Sequence, residues 1–343
     1  MVPVNASAIL RQTADRLGFD AFGVAPARAP VHAPALHEWL SQSFQGEMHW
    51  LARDPPTRAD PRKYDPSAQS ILVAGISSRQ TAPPAHRGRI AAYAQGSDYH
   101  DFLREKLEAL AHETIATWGG TFRICVDTSP LLEKPLAALA GIGWQGKNTL
   151  LIHRDHGPWL LLGCILTNLR FPPQAQDSDH CGTCTRCLDA CPTRAFPRPY
   201  VLDARRCLAY LTIENPGPIP EEFRPLVGDR LFGCDECLEV CPWNRHAQDA
   251  REIRLTPRPL PDLRDMLTWD DARFRSQFRG TPVFRLKITR WRRNVSVVLG
   301  NIGGKEDLPA LDRASQDGEP MVREHAAWAA RQIRQRHRLE GLA

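Results

Sequence analysis

Eight of the chain's ten cysteines fall between Cys181 and Cys241, and their spacing is that of a metal site. The run CGTCTRCLDACP sets Cys181, Cys184, Cys187 and Cys191 as C-x2-C-x2-C-x3-C-P, closing on Pro192. This is the bacterial ferredoxin spacing: three cysteines at two-residue gaps wrap one corner of a cubane, and the displaced fourth, held by proline, reaches a second cluster. The run GCDECLEVCP brings Cys234, Cys237 and Cys241 before Pro242, and Cys207 supplies the missing ligand. Exchange of the fourth ligands assigns Cys181, Cys184, Cys187 and Cys241 to one [4Fe–4S] cluster and Cys191, Cys207, Cys234 and Cys237 to the other. The chemistry is then one-electron transfer. Two structural zinc sites, each held by four cysteines, are the alternative, but zinc ribbons use separated C-x2-C pairs, whereas each run here continues to C-x3-C-P. Cys125, inside TFRICVD, and Cys164, inside an apolar run, read as core residues.

The elements on either side must position these clusters against a reactive site. Residues 1–170 read as a mixed α/β domain. Ser7–Gly18 has helical character, AFGVAP and ILVAGI (71–76) are short strands, and Tyr99–Trp118 is a helix with Phe102, Leu103, Leu107, Leu110 and Ala111 on one face. TFRICVD (121–127) alternates at period two and predicts a strand ending at Asp127. TLLIH and PWLLLGCILTNL predict two strands joined by a turn around Asp155–Pro158. GIGWQGKN (141–148) lacks the ending of a P-loop and reads as a tight loop suited to close backbone approach. No GxGxxG follows a strand, so a Rossmann nicotinamide or flavin site is unsupported. A polar, proline-rich linker (171–180) precedes the cysteine block, which occupies 171–253. Residues 254–343 are helical after a second linker. Two amphipathic helices there, through Ile288, Trp291, Val295, Val298 and Ile302 and through Val322, Ala326, Ala329 and Ile333, resemble one HEAT-type unit. The fold class is α+β in three parts.

With 343 residues and 42% apolar content the chain is long enough for several packed domains of a globular protein. Its longest apolar stretch, Trp159–Leu169, is too short to span a bilayer. The amino-terminal residues lack the pattern of a secretory signal, so a cytoplasmic, monomeric protein with reduced thiols is expected. The net charge of +5 is uneven: residues from Arg251 onward carry 19 Lys and Arg against 12 Asp and Glu. A basic end on a near-neutral body suggests an anionic macromolecular partner.

The segments RADPRKYDPSAQSI (58–71), YAQGSDYH (93–100), VDTSPLLEKPLAALAGIGWQGKN (126–148), CGTCTRCLDACPTRA (181–195), CLAYLTIENPGPIPEEFR (207–224) and GCDECLEVCPWNR (233–245) are together specific, and in order and spacing the chain resembles the epoxyqueuosine reductases over nearly its whole length. The resemblance implies a cob(II)alamin bound base-off in the N-terminal domain, beside the clusters. It implies reduction of epoxyqueuosine to queuosine at the wobble position of tRNA, with an external low-potential electron donor. Asp127 matches the family's proton donor. As an ordinary Asp it would be ionised at neutral pH, so this role calls for burial to raise its pKa; the competing reading is a helix N-cap before SPLLEKPL. Arg58, Ala209, Cys234 and Asp235 match positions near the corrin, and Tyr99 and His100 match the active-site DYH. For Arg58 the plain alternative is a surface cation; for Tyr99 and His100 it is the first turn of a helix. Leu103 stands where a cobalamin D-x-H-x-x-G motif needs glycine, so His100 is a poor axial ligand.

From Arg273 to Arg293 the chain has eight basic residues and no acidic ones, with Phe274, Phe278, Phe284 and Trp291 interleaved. With a tRNA substrate implied, Arg285, Lys287, Arg290, Arg292 and Arg293 are expected to contact phosphate; a solvated cationic face is the plain alternative. Two rival functions remain: a cobalamin reductive dehalogenase-like enzyme acting on a small molecule, and a non-catalytic iron–sulfur electron-transfer or RNA-binding module.

Overall fold

The computed structural model describes residues 2–81 and 87–340. Helix α1 (Ala6–Arg16) leads into strand β1 (Ala21–Pro26), followed by β2 (Ser70–Ser77), helix α2 (Tyr99–Ala111), β3 (Phe122–Cys125), helix α3 (Glu133–Leu139) and β4 (Leu160–Thr167). The four strands form one antiparallel sheet in the order β1-β2-β4-β3. Both faces are covered, which is why its central strands are continuous apolar runs. Leu72, Ala74 and Ile76 face a core shared with Leu10 of α1 and Leu103, Leu107 and Leu110 of α2. Ile71 and Val73 face a second core with Leu136 and Ala137 of α3. Cys125 and Cys164 are opposite each other across β3 and β4, both fully buried.

One local expectation is revised. The strand predicted through Asp127 ends at Cys125: Val126 is buried, and Asp127 turns out of the sheet with φ of 52°. TLLIH and PWLLLGCILTNL do contain strands, separated by a turn closed at His153 and Gly157. They do not pair with each other; Leu151–Ile152 pairs with Trp144–Gln145, while β4 lies inside the main sheet.

Two further helices, α4 (Lys287–Ile302) and α5 (Pro320–Glu340), form the C-terminal part. They meet closely at Gly300, where a Cβ would lie 2.6 Å from the Trp328 ring and 2.8 Å from Ala329 Cα. One face of α4 buries Trp291, Val295 and Val298, while Ile302, at the end of the expected stripe, is exposed. The opposite side of α4 is also buried. Asn294 there donates to the carbonyls of Thr212 and Leu231. A single hydrophobic core therefore runs from Ala204 through Phe232 into α4 and α5. Among the described residues no helix is long and apolar enough to cross a membrane.

Candidate active site

The turn after β3 and the start of α2 bring two side chains together. Asp98 caps α2 by accepting from the His100 N–H, and its carboxylate also lies 2.6 Å from His100 Nδ1. The other ring nitrogen, Nε2, is 3.1 Å from Asp127 Oδ2. Tyr99 stacks on the imidazole at a centroid distance of 4.1 Å. Both ring nitrogens of His100 are thus committed to carboxylates, which leaves neither for a metal.

The electrostatics reverse the expectation for Asp127. Its carboxyl lies below the usual range, first because of the hydrogen bond from His100, which outweighs partial burial. Burial pulls His100 down, but the bonds to Asp127 and Asp98 win and carry it up to about 9. At neutral pH the proton of the pair therefore resides on the imidazole. Nor does Asp127 cap a helix: α3 begins at Glu133 with Leu132 at the cap position and no side-chain cap bond.

Asp127 opens onto a cavity of about 2250 Å³ that also touches Arg58, Tyr99, His100, Lys134, Trp144 and Arg285. Arg58 sits near Asp127 and Glu133, whose charges partly offset the lowering effect of its burial. Glu133 and Lys134 were not singled out as functional from the sequence. Their signal was present in LLEKPL, where two ionisable residues interrupt an apolar stretch. Burial, then the charge of Asp127, pushes the Glu133 carboxyl up to about 8. Ala209, Cys234 and Asp235 are not on this cavity's wall. Asp235 Oδ2 accepts from the Ala92 N–H, and burial raises its pKa to about 6.

The cysteines fall into two neighbourhoods. Burial pushes the Cys241 thiol up to about 11, with Cys181, Cys187 and Cys184 adding to it. Burial likewise drives Cys237 upward, reinforced by Cys207, Cys234 and Cys191. Thiols whose charges raise one another would be eased by a cation, since coordination deprotonates them outright, though among the described residues no three such side chains lie close enough to hold one. These neighbourhoods coincide with the ligand sets expected from spacing. The glycine-rich loop joins them: Lys147 Nζ donates to the carbonyls of Gly182 and Cys184 at 2.6 and 3.0 Å, and Asn148 Nδ2 to that of Cys237 at 3.0 Å. Close approach is required there, because a Cβ on Gly143 would lie 2.1 Å from the Ile152 carbonyl oxygen. Trp144 lines the cavity and packs in one cluster with Cys241 and Cys181, while Lys134 feels the charges of Cys237 and Cys207. Trp144 thus links the cavity wall to the first of these groups.

The basic segment divides. Arg285 and Lys287 are exposed, and Arg285 pairs with Glu214 at 3.0 Å on the cavity wall. Arg290 donates to the carbonyls of Ile213, Arg285 and Leu286, and Arg292 donates to Leu267 and pairs with Asp317. Arg293 is a correction. It is fully buried and donates to the carbonyls of Leu211, Asn215 and Gly217 and to Asn294 Oδ1, so no phosphate can reach it.

Two cysteine quartets clamped by one loop, beside a cavity holding an acid–base pair, define an iron–sulfur protein. Residues 180–244 match the family model described as "4Fe-4S double cluster binding domain". Residues 58–128 match that of "Epoxyqueuosine reductase QueG". An epoxyqueuosine reductase of Xanthomonas campestris is 40% identical over 96% of this chain and 97% of its own length. A crystal structure of epoxyqueuosine reductase with an epoxyqueuosine-modified tRNA-Tyr stem loop superposes with a TM-score of 0.87 at 31% identity, covering 95% of this chain and 90% of that one. A Bacillus subtilis epoxyqueuosine reductase, solved with a catalytic aspartate loop swung out of the active site, matches with a TM-score of 0.85 at 31% identity over the same shares. The chain belongs to the epoxyqueuosine reductase family.

Proposed function

We propose that this protein reduces epoxyqueuosine to queuosine at the wobble position of tRNA, the last step in making that nucleoside. The observation that carries the reading is the Asp127–His100 pair on the wall of a cavity whose Trp144 packs with Cys241 and Cys181 of the double-cluster domain. Removing the epoxide oxygen as water and leaving an alkene takes two electrons and two protons. When bound, a base-off cob(II)alamin supplies the reductant at the carbon–oxygen bond, and two [4Fe–4S] clusters return electrons to it one at a time.

The cavity suits such a cofactor. At about 2250 Å³ it exceeds the roughly 300–1,000 Å³ of ordinary small-molecule pockets. Arg58 and Lys134 on its wall face anionic groups, and Tyr99 and Trp144 offer flat surface. Ala209, Cys234 and Asp235, off the cavity's wall, would not hold the cofactor directly. His100, with both ring nitrogens engaged by carboxylates, would not hold the cobalt.

Asp127 delivers a proton to the departing oxygen, and His100 restores it. A pair with its proton stored on the imidazole holds an acid close to the substrate without requiring a neutral carboxyl at rest. Arg285 and Lys287, exposed at the rim, meet the tRNA backbone, with Arg290 and Arg292 contributing charge from partly buried positions. The HEAT-like pair α4 and α5 holds this rim in place. The protein acts as a cytoplasmic monomer fed by an external low-potential donor.

The test is anaerobic reconstitution with iron, sulfide and cobalamin, followed by incubation with epoxyqueuosine tRNA and a chemical reductant. Eight irons and one cobalamin per chain with conversion to queuosine are expected. Zinc in place of iron, or no retained cobalamin, would overturn the reading.

A further inference from the structure

Asp127 stands in an uncommon backbone state. Its φ of 52° is left-handed, a conformation that is strained for a non-glycine residue and persists where surrounding contacts impose it. The turn has weak means of its own to do so. Its bonds from the Thr128 N–H to the Val126 carbonyl and from the Leu131 N–H to the Ser129 carbonyl each span just two residues. The contact that ties it to the protein body comes from Glu133, whose Oε1 accepts the Asp127 N–H at 2.7 Å. Glu133 is the first residue of α3, and α3 is anchored through buried Leu136, Ala137 and Leu139 on the sheet. Asp127 therefore hangs between two fixed points: His100 of α2 holds its carboxylate and Glu133 of α3 holds its amide.

We propose that Glu133 is the positioning residue of this reaction, latching the backbone N–H of Asp127 so that the Asp127 carboxylate faces the cavity. The proposal rests on the reading of Asp127 as proton donor and deepens it. Glu133 does not touch the reacting atoms; it decides whether Asp127 is present among them. Its surroundings suit the task. Arg58 from the helix Pro55–Ala59, His100 from α2, Lys134 from α3, Asp127 itself, and the Cys125 and Cys164 thiols of β3 and β4 all face it. Burial and the charge of Asp127 hold Glu133 protonated at neutral pH. A neutral carboxyl keeps an oxygen to accept the N–H without setting a second negative charge against Asp127. Ionisation at higher pH would place two carboxylates side by side and push the turn outward.

The experiment compares E133A and E133Q in the full reconstituted chain, by hydrogen exchange of the 126–132 segment and by single-turnover kinetics on epoxyqueuosine tRNA. Gln keeps the accepting oxygen and matches the neutral resting form. E133A is expected to speed exchange in that segment roughly tenfold, the loss of about one hydrogen bond, with the sheet unchanged. Its single-turnover rate should fall by about 10- to 100-fold through misplacement of the donor, at unchanged KM for tRNA. E133Q should recover most of both. Wild-type exchange and rate in E133A, or E133Q as impaired as E133A, would overturn the latch. Should E133A not fold, E133Q decides alone: the wild type should lose rate in two steps, above about pH 8 as Glu133 ionises and again near pH 9 as His100 does, and E133Q should lack the first step and keep the second, whereas superimposable profiles would contradict the proposal. A D127A variant separates the two claims, since full activity in it would remove the donor role while the exchange measurement still judges the latch.

Discussion

Asp127 and Arg293 are both charged residues with several polar neighbours, yet they stand in opposite situations. Arg293 is enclosed, with carbonyl and amide oxygens around its guanidinium, in the middle of a core. Asp127 is half-exposed to a large cavity and held at two points, with carboxylate surface left over. The difference teaches where chemistry can occur. A charge whose partners are complete is structural, since a ligand would have to displace bonds already made. A charge held in place but incompletely surrounded is available.

This contrast can be broken at either end. The largest effect is expected at Arg293: Arg293→Met strands three backbone carbonyls and an amide oxygen, and should destabilise by about 3 to 5 kcal/mol. A fall in the urea midpoint of the full chain is the measure; an unchanged midpoint would show that the enclosure contributes nothing. At Arg285, exposed and bound to a single partner, the stability loss should be small, within about 1 kcal/mol. Arg285→Ala should instead raise the KM for tRNA and reduce the salt slope of binding by about one. Salt-independent kinetics identical to wild type would remove Arg285 from the interface.

The acid–base pair makes a finer test through pH. His100 is raised to about 9 and Asp127 is lowered, so the stabilising contribution of the imidazolium is complete below its unfolded value of 6.5 and is lost as pH rises through 9. The contribution of Asp127 is present above its unfolded value of 3.8 and is lost as pH falls through its lower folded value. The pair is therefore strongest between these limits. Turnover should fall on the alkaline side near pH 9 as His100 loses its stored proton. In His100→Gln the step near pH 9 should vanish, with a lower rate at neutral pH, while the earlier loss from Glu133 ionisation remains; a wild-type profile in the variant would assign the later step to another group.

The same contrast explains what could be read from sequence. The sheet was legible because both its faces are buried, making β2 and β4 unbroken apolar runs. The double-cluster block was legible because cluster geometry imposes local cysteine spacing; Cys207 alone lies outside both runs. Arg293 was not legible: its carbonyl partners lie 76 to 82 residues earlier, and nothing in TRWRRN separates the buried arginine from its neighbours. The protonation of Asp127 is open in the sequence for a like reason. Burial was the local argument, but the hydrogen bond that decides the outcome comes from His100, 27 residues away. The turn at Asp127 was hidden as well, because its left-handed backbone depends on a side-chain acceptor on the next helix rather than on a glycine.

The central claim is that Asp127 supplies a proton to the epoxide oxygen. Single-turnover reduction of epoxyqueuosine tRNA by fully loaded Asp127→Ala, beside wild type, addresses it most directly. The rate should fall by about 10²- to 10⁴-fold, with iron content, cobalamin content and tRNA affinity unchanged. A wild-type rate in that variant would contradict the account.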